Sequence, residues 1–116
     1  MGEVYRAYDL SRQRVVALKL LPEASAKDAE YVERFRRESQ VVARLREPHI
    51  VPIHDFGELD GRLFIDMRLV DGQTVRELLG QYGPMTPPYA VQVIGQVAEA
   101  LAAAHADGLV HRDIKP

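Results

Sequence analysis

The sequence predicts an α+β fold in two segregated parts: a small antiparallel sheet carrying one helix, followed by a helical part. Three observations lead there. Four short runs rich in Val, Leu, Ile and Tyr fall within the first 70 residues. One charge-rich helical stretch separates the second run from the third. Beyond residue 70 only helical patterns recur, with their own start and stop signals.

Each element has a local reason. Residues 3–9 (EVYRAYD) and 14–21 (RVVALKLL) read as strands, and the polar LSRQ between them makes an antiparallel hairpin the simplest connection. From Ala26 to Arg46 the pattern is helical, with Pro48 just past its end. IVPIHDFGE (50–58) and RLFIDMRLV (62–70) read as two further strands joined by a turn at Asp60-Gly61. Pro52 lacks an N–H, so it belongs at the start of its strand or on an edge. After Asp71-Gly72 a short helix runs from about Thr74 to Tyr82. Thr86 then caps a longer helix, with Pro87 at its first position and Gly108 as its stop. The domain boundary falls between residues 70 and 71.

Composition narrows the function classes. The 116 residues carry a net charge of −2 with 28% charged and 47% apolar side chains, as in soluble globular proteins. A general nucleic-acid binder would be distinctly basic. With no cysteine there is neither a disulfide framework nor a thiolate metal site, which is compatible with a reducing, cytoplasmic setting. No apolar run approaches a membrane span, and MGEVYRAYD has neither the charge nor the apolar core of a signal peptide. Arg6 stands where N-myristoylation favours a hydroxyl residue. His49, His54 and His105 are too scattered in sequence to suggest a metal site and read as surface or core residues.

Two misplaced charges carry the chemistry. In RVVALKLL a strand puts Val15, Ala17, Lys19 and Leu21 on one face, and after Arg14 at its start Lys19 is the one charge in an otherwise apolar run. In the following helix Tyr31, Phe35, Val42 and Leu45 form an apolar stripe, and Glu38 falls inside it. A lone lysine at a strand edge or a glutamate at a helix boundary is unexceptional. Together they are opposite charges on elements expected to pack, and pairing offsets the cost of burying either. Ala17, one strand repeat from Lys19, leaves room for a flat ligand beside the ammonium group.

These residues resemble the protein kinase family, specifically the bacterial Hanks-type serine/threonine kinases. MGEV is similar to the end of a glycine-rich loop, with Gly2 as its third glycine and Val4 as the residue covering the base. VALK (16–19) resembles V-A-I-K, which makes Lys19 the lysine on the α/β-phosphates and Glu38 its partner on helix C. HRDIKP (111–116) resembles the catalytic loop, with Asp113 as catalytic base and Lys115 beside the transferred phosphoryl group. LVDGQTVRELLGQYGPMTP is similar to the hinge and following helix of that group. The motifs run the full length of the chain, in the family's order.

The resemblance implies more, position by position. Met67 falls at the gatekeeper, and Arg68, Leu69 and Val70 form the hinge whose backbone reads adenine. Arg68 stands where the family often has an acidic residue. Val42, Ile53 and His111 fall in the regulatory stack, and Arg112 is placed to receive an activation-loop phosphate. Asp71 and Thr74 are both candidates for the ribose contact. The implied cofactors are ATP and Mg²⁺, the latter on side chains expected after residue 116, so that the chain reads as a kinase piece inactive by itself. The implied partners are proteins bearing Ser/Thr hydroxyls, and a kinase dimer is compatible. Two other classes stay open: a non-catalytic nucleotide- or partner-binding kinase-like protein, and a small-molecule phosphotransferase.

Overall fold

The computed structural model describes residues 2–116; Met1, the first letter of MGEV, lies outside the described residues. Four strands are present: β1 (Glu3–Asp9), β2 (Arg14–Leu20), β3 (Ile53–Leu59) and β4 (Arg62–Arg68). Three helices accompany them: α1 (Ala29–Arg44), α2 (Val75–Tyr82) and α3 (Pro87–Ala106). The chain divides into two units, one of residues Met1–Arg46 with Val51–Val70, the other of Glu47–Ile50 with Asp71–Pro116.

The first unit is a four-stranded antiparallel sheet in the order β1-β2-β4-β3. Its first hairpin closes through Asp9, whose carboxylate accepts hydrogen bonds from the Ser11 hydroxyl and the Ser11 and Arg12 N–H groups. The Ser11 hydroxyl is the largest cause holding the Asp9 carboxyl down at about 2, helped by the Arg12 amide. Gln13 takes the left-handed conformation, φ 53°, that lets this turn close. Asp60 and Gly61 do the same between β3 and β4, at φ 51° and 76°, the paired left-handed geometry a tight hairpin demands. Pro52 precedes β3, an edge strand, and its carbonyl accepts the Arg68 N–H at 3.1 Å.

The helical stretch expected from Ala26 to Arg46 is shorter. Residues Glu23–Lys27 form a 3₁₀ turn, and α1 begins at Ala29 because Asp28 caps it, accepting from the Glu30 and Tyr31 N–H groups. The strands expected at 14–21 and 62–70 are likewise trimmed, to 14–20 and 62–68, and the one expected at 50–58 starts three residues later and ends one later, at 53–59. Leu21 leaves the ladder of β2 yet stays pinned to β4: its N–H donates to the Leu63 carbonyl at 2.9 Å, and its own carbonyl accepts from Arg62 Nε at 2.9 Å.

Register decides which side chains share a face. Val4 lies opposite Lys19, Lys19 opposite Ile65, and Ile65 opposite Phe56, giving one continuous row across the sheet. The next row is Arg6, Ala17, Met67 and Ile53. α1 covers this face at its β3 side, with the Phe35 ring edge-on to Phe56 at 6.3 Å and 80°. Leu63 beneath them is 2% exposed. A bulge between Ile53 and Asp55 shifts His54 out of register. His54 Nδ1 then lies 3.2 Å from Asp66 Oδ1; Asp66 pairs with Leu18 in the ladder, on the opposite face from Lys19.

In the second unit, α2 starts with a full capping box. The Thr74 hydroxyl accepts from the Glu77 N–H at 3.1 Å while Glu77 Oε2 accepts from the Thr74 N–H at 2.6 Å. That backbone donor, then the Thr74 hydroxyl, lowers the Glu77 carboxyl below its ordinary value. Thr86 sits at the N-cap of α3 as expected, but its side chain makes no capping bond; Pro87 and Pro88 remove two of the amides that would otherwise need one. At the other end Gly108 (φ 78°) donates to the His105 carbonyl and Leu109 to the Ala104 carbonyl. That pair of bonds is a Schellman stop, with Leu109 half-buried and Ala104 buried.

Candidate functional site

The residues singled out by sequence fall into two groups, one on each unit. On the first, Gly2 precedes β1, and a Cβ added to it would collide with the Leu20 carbonyl oxygen. Only glycine permits the backbone to pass there. Val4 follows, 63% exposed, and directly across the ladder stands Lys19. Ala17 is 7% exposed and lies in the adjoining row with Met67. The outcome is an ammonium group flanked by one small and two aliphatic side chains on a single sheet face.

The expected Lys19–Glu38 ion pair is not formed. Among the described residues neither side chain has an opposite charge within 4 Å. The register gives the reason. α1 rests on β3, and β3 lies two strands from β2, a lateral offset of about 10 Å. Glu38 is half-buried, and the position α1 buries is its neighbour Ser39, at 5%. The apolar stripe thus runs through Val32, Phe35, Ser39 and Val42, a phase the serine conceals in the sequence. Val42 and Ile53 are half-buried within the first unit, whereas His111 belongs to the second.

The strand end at Met67 and Arg68 leads into Leu69 and Val70, which have left the sheet ladder. The Arg68 N–H is already bonded to Pro52, and the side chain of Arg68 is exposed. Of the two ribose candidates, Thr74 has its hydroxyl engaged with Glu77, to which it also donates at 3.0 Å. Asp71 is exposed and accepts no side-chain hydrogen bond among the described residues.

On the second unit, the Schellman stop turns the chain out of α3 into residues 109–116. His111 Nδ1 accepts the Asp113 N–H at 3.1 Å, which fixes the ring against the backbone. Lys115 Nζ lies 3.0 Å from Asp113 Oδ2. Between them Arg112 takes φ 68°, a left-handed conformation costly for a side chain of its size. Asp113 and Lys115, which follow it, face one another; both are exposed, as is Arg112.

A model of the protein kinase domain matches residues 1–116, the whole chain. The chain belongs to the protein kinase family. Its kinase relatives include the serine/threonine-protein kinase PknD of Mycobacterium tuberculosis, 53% identical over 116 residues, covering 100% of this chain and 18% of that protein. PknH of Mycobacterium bovis is 52% identical over the same length, covering 20% of that protein. Among solved structures, the Mycobacterium tuberculosis PknI kinase domain superposes with a TM-score of 0.90 at 42% identity, across 100% of this chain and 47% of that one. The chain therefore spans about a fifth of those curated relatives and about half of that solved kinase domain. The antiparallel sheet with its helix is the kinase fold, as the sequence predicted.

The histidines set aside by the sequence are not alike. His54 is held by Asp66, while His49 lies between Glu47 and Glu99. The first pairing depends on a bulge, and the second joins residues fifty positions apart, so neither had a local signal.

Proposed function

We propose that the chain supplies the nucleotide-facing and catalytic-loop residues of a serine/threonine protein kinase, which moves the γ-phosphoryl group of ATP to protein hydroxyls in the cytoplasm. The observation carrying this reading is the row Val4–Lys19–Ile65 beside Ala17 and Met67, which sets one cation among small and aliphatic side chains on a single sheet face. Protein kinases as a family use ATP with a divalent metal, and the donor set here fits the nucleotide. Lys19 is a half-buried ammonium that has no carboxylate within 4 Å among the described residues, suited to phosphate oxygens.

Each remaining residue has one task. Val4, Ala17 and Met67 bound the base, and the backbone of Leu69 and Val70 reads it, Gly2 letting the covering strand approach. Asp71 rather than Thr74 is left to meet the ribose. Asp113 accepts the proton of the attacking hydroxyl, and Lys115, now on Asp113, offers its charge to the phosphoryl group. The separated Lys19 and Glu38 fit a disengaged helix C, which the regulatory stack of Val42, Ile53 and His111 and a phosphate on Arg112 would bring in. Bound ATP and its metal supply the transferable group and the charge neutralisation between phosphates.

The test is Lys19→Met in the full-length protein, assayed for transfer of labelled phosphate to a generic Ser/Thr protein substrate. Loss of turnover by at least about a hundredfold, with the circular dichroism spectrum unchanged, is the expected result. Turnover within a few-fold of the parent would end the assignment.

A further inference from the structure

Three side chains of the second unit that have no role assigned above converge on one another. Glu47 and His49 sit on the short turn 47–50, which closes with the Ile50 N–H on the Glu47 carbonyl at 3.1 Å. The Glu47 carboxylate works twice: Oε2 accepts the His49 N–H at 2.6 Å, and Oε1 lies 2.7 Å from His49 Nδ1. From α3, Glu99 brings Oε2 to 3.4 Å from the same ring nitrogen. One ligand atom from each residue lies within 4.8 Å of the others.

We propose that Glu47, His49 and Glu99 form a binding site for a borderline divalent transition-metal ion, of which Zn²⁺ is the representative. Spacing, chemistry and access each support this assignment. Zinc with bonds of 2.0–2.1 Å in a tetrahedron sets its ligand atoms about 3.3 Å apart. The Nδ1 to Glu99 separation of 3.4 Å already matches. The Nδ1 to Glu47 separation of 2.7 Å needs to open by roughly half an ångström, as an ion displaces the shared proton. An imidazole with two carboxylates suits zinc and its neighbours better than Ca²⁺ or Mg²⁺, which favour all-oxygen sets. Two carboxylates also neutralise the ion's charge.

Burial is graded in the manner a site needs. The Glu47 side chain is 11% exposed and His49 31%, both oriented by the turn, while Glu99 is 67% exposed. The backbone bond to Glu47 Oε2 acts as an outer-shell contact that holds the carboxylate in place. Solvent reaches the Glu99 side, leaving an entry path and a position for water. A bound ion would clip the turn 47–50 to α3. This site is separate from the magnesium chemistry of phosphoryl transfer, since it uses none of the residues assigned to the nucleotide.

The experiment is titration of ZnCl₂ into the untagged full-length protein, by calorimetry at neutral pH in a non-chelating buffer without nucleotide. CoCl₂ is titrated in parallel, because its visible absorption reports a nitrogen–oxygen coordination sphere. One ion per chain is expected, with uptake weakened roughly tenfold or more by His49→Ala and by Glu99→Gln, and unaltered by His54→Ala. Glu99→Gln changes an exposed side chain almost isosterically, so its folding is not at issue, and circular dichroism verifies it. No saturable uptake below about 1 mM, or uptake that survives both His49→Ala and Glu99→Gln, would show an ion pair only and overturn the proposal.

Discussion

Replacing Leu63 by alanine probes the sheet face that carries both the seat of α1 and the row containing Lys19. Leu63 is 2% exposed and sits on β4 opposite Glu58, beneath Phe35 and Phe56. The substitution removes three carbons, which at about 0.8 kcal/mol each amounts to about 2.4 kcal/mol of lost transfer energy. A sealed void would add about 24 cal/mol per Å³. Here Leu63 already borders a groove of about 250 Å³ between α1 and β3, lined by Val32, Phe35, Gln40 and Phe56. The new space merges with that groove, so the cavity contribution is small and the loss stays near 2.5 kcal/mol, the low end of leucine truncations. The protein segment has no tryptophan, so urea unfolding is followed by far-ultraviolet circular dichroism. With a slope of about 1.5 kcal/mol/M, the midpoint falls by roughly 1.5–2 M. A loss below about 1 kcal/mol would mean that Leu63 is not part of the core. One above about 4 kcal/mol would mean that the groove is closed in solution; either refutes the reasoning.

Three further outcomes are expected. Gly2→Ala forces a methyl group against the Leu20 carbonyl, so the start of β1 must shift; affinity for an ATP analogue, read by fluorescence titration, should fall while the unfolding midpoint changes little. Thr74→Ala removes the reciprocal cap of α2, and amide exchange in residues 75–82 should accelerate roughly fivefold, in line with lost N-caps elsewhere. Because the folded Asp9 carboxyl is depressed from 3.8 to about 2, its stabilisation of the first hairpin is fully present above the ordinary value and disappears as pH falls through about 2. In Asp9→Asn that part of the acid response should vanish, as followed by the chemical shifts of residues 9–14.

Much of the site was legible because it rests on short-range periodicity. A period of two placed Ala17 and Lys19 together, and nothing in the ladder altered that. Gly108 announced the end of α3, and the Schellman bonds it makes deliver the loop that carries Asp113. The missing parts were of two kinds. EASAK is as helical in composition as the residues of α1, so only the Asp28 cap separates the 3₁₀ turn from that helix. Ser39 carries no apolar signal, yet it is the buried residue of α1, at 5% exposed. The Lys19–Glu38 separation and the grouping of Glu47, His49 and Glu99 are set by tertiary placement. No spacing within one element encodes them.

The seat of α1 on β3 and the 3₁₀ turn has a mechanical consequence. β3 is an outer strand, joined to the sheet on one side only, while Lys19 belongs to an inner strand clamped on both. A shift of the helix over the aromatic and aliphatic side chains beneath it, like a sash in its frame, would sever no rung between β2 and β4. On the function proposed above, bringing Glu38 to Lys19 would repack the contact of Phe35 with Phe56 and leave the ladder that holds Lys19 unchanged. On that reading the position of α1 would be set by whatever leans on the helix from outside.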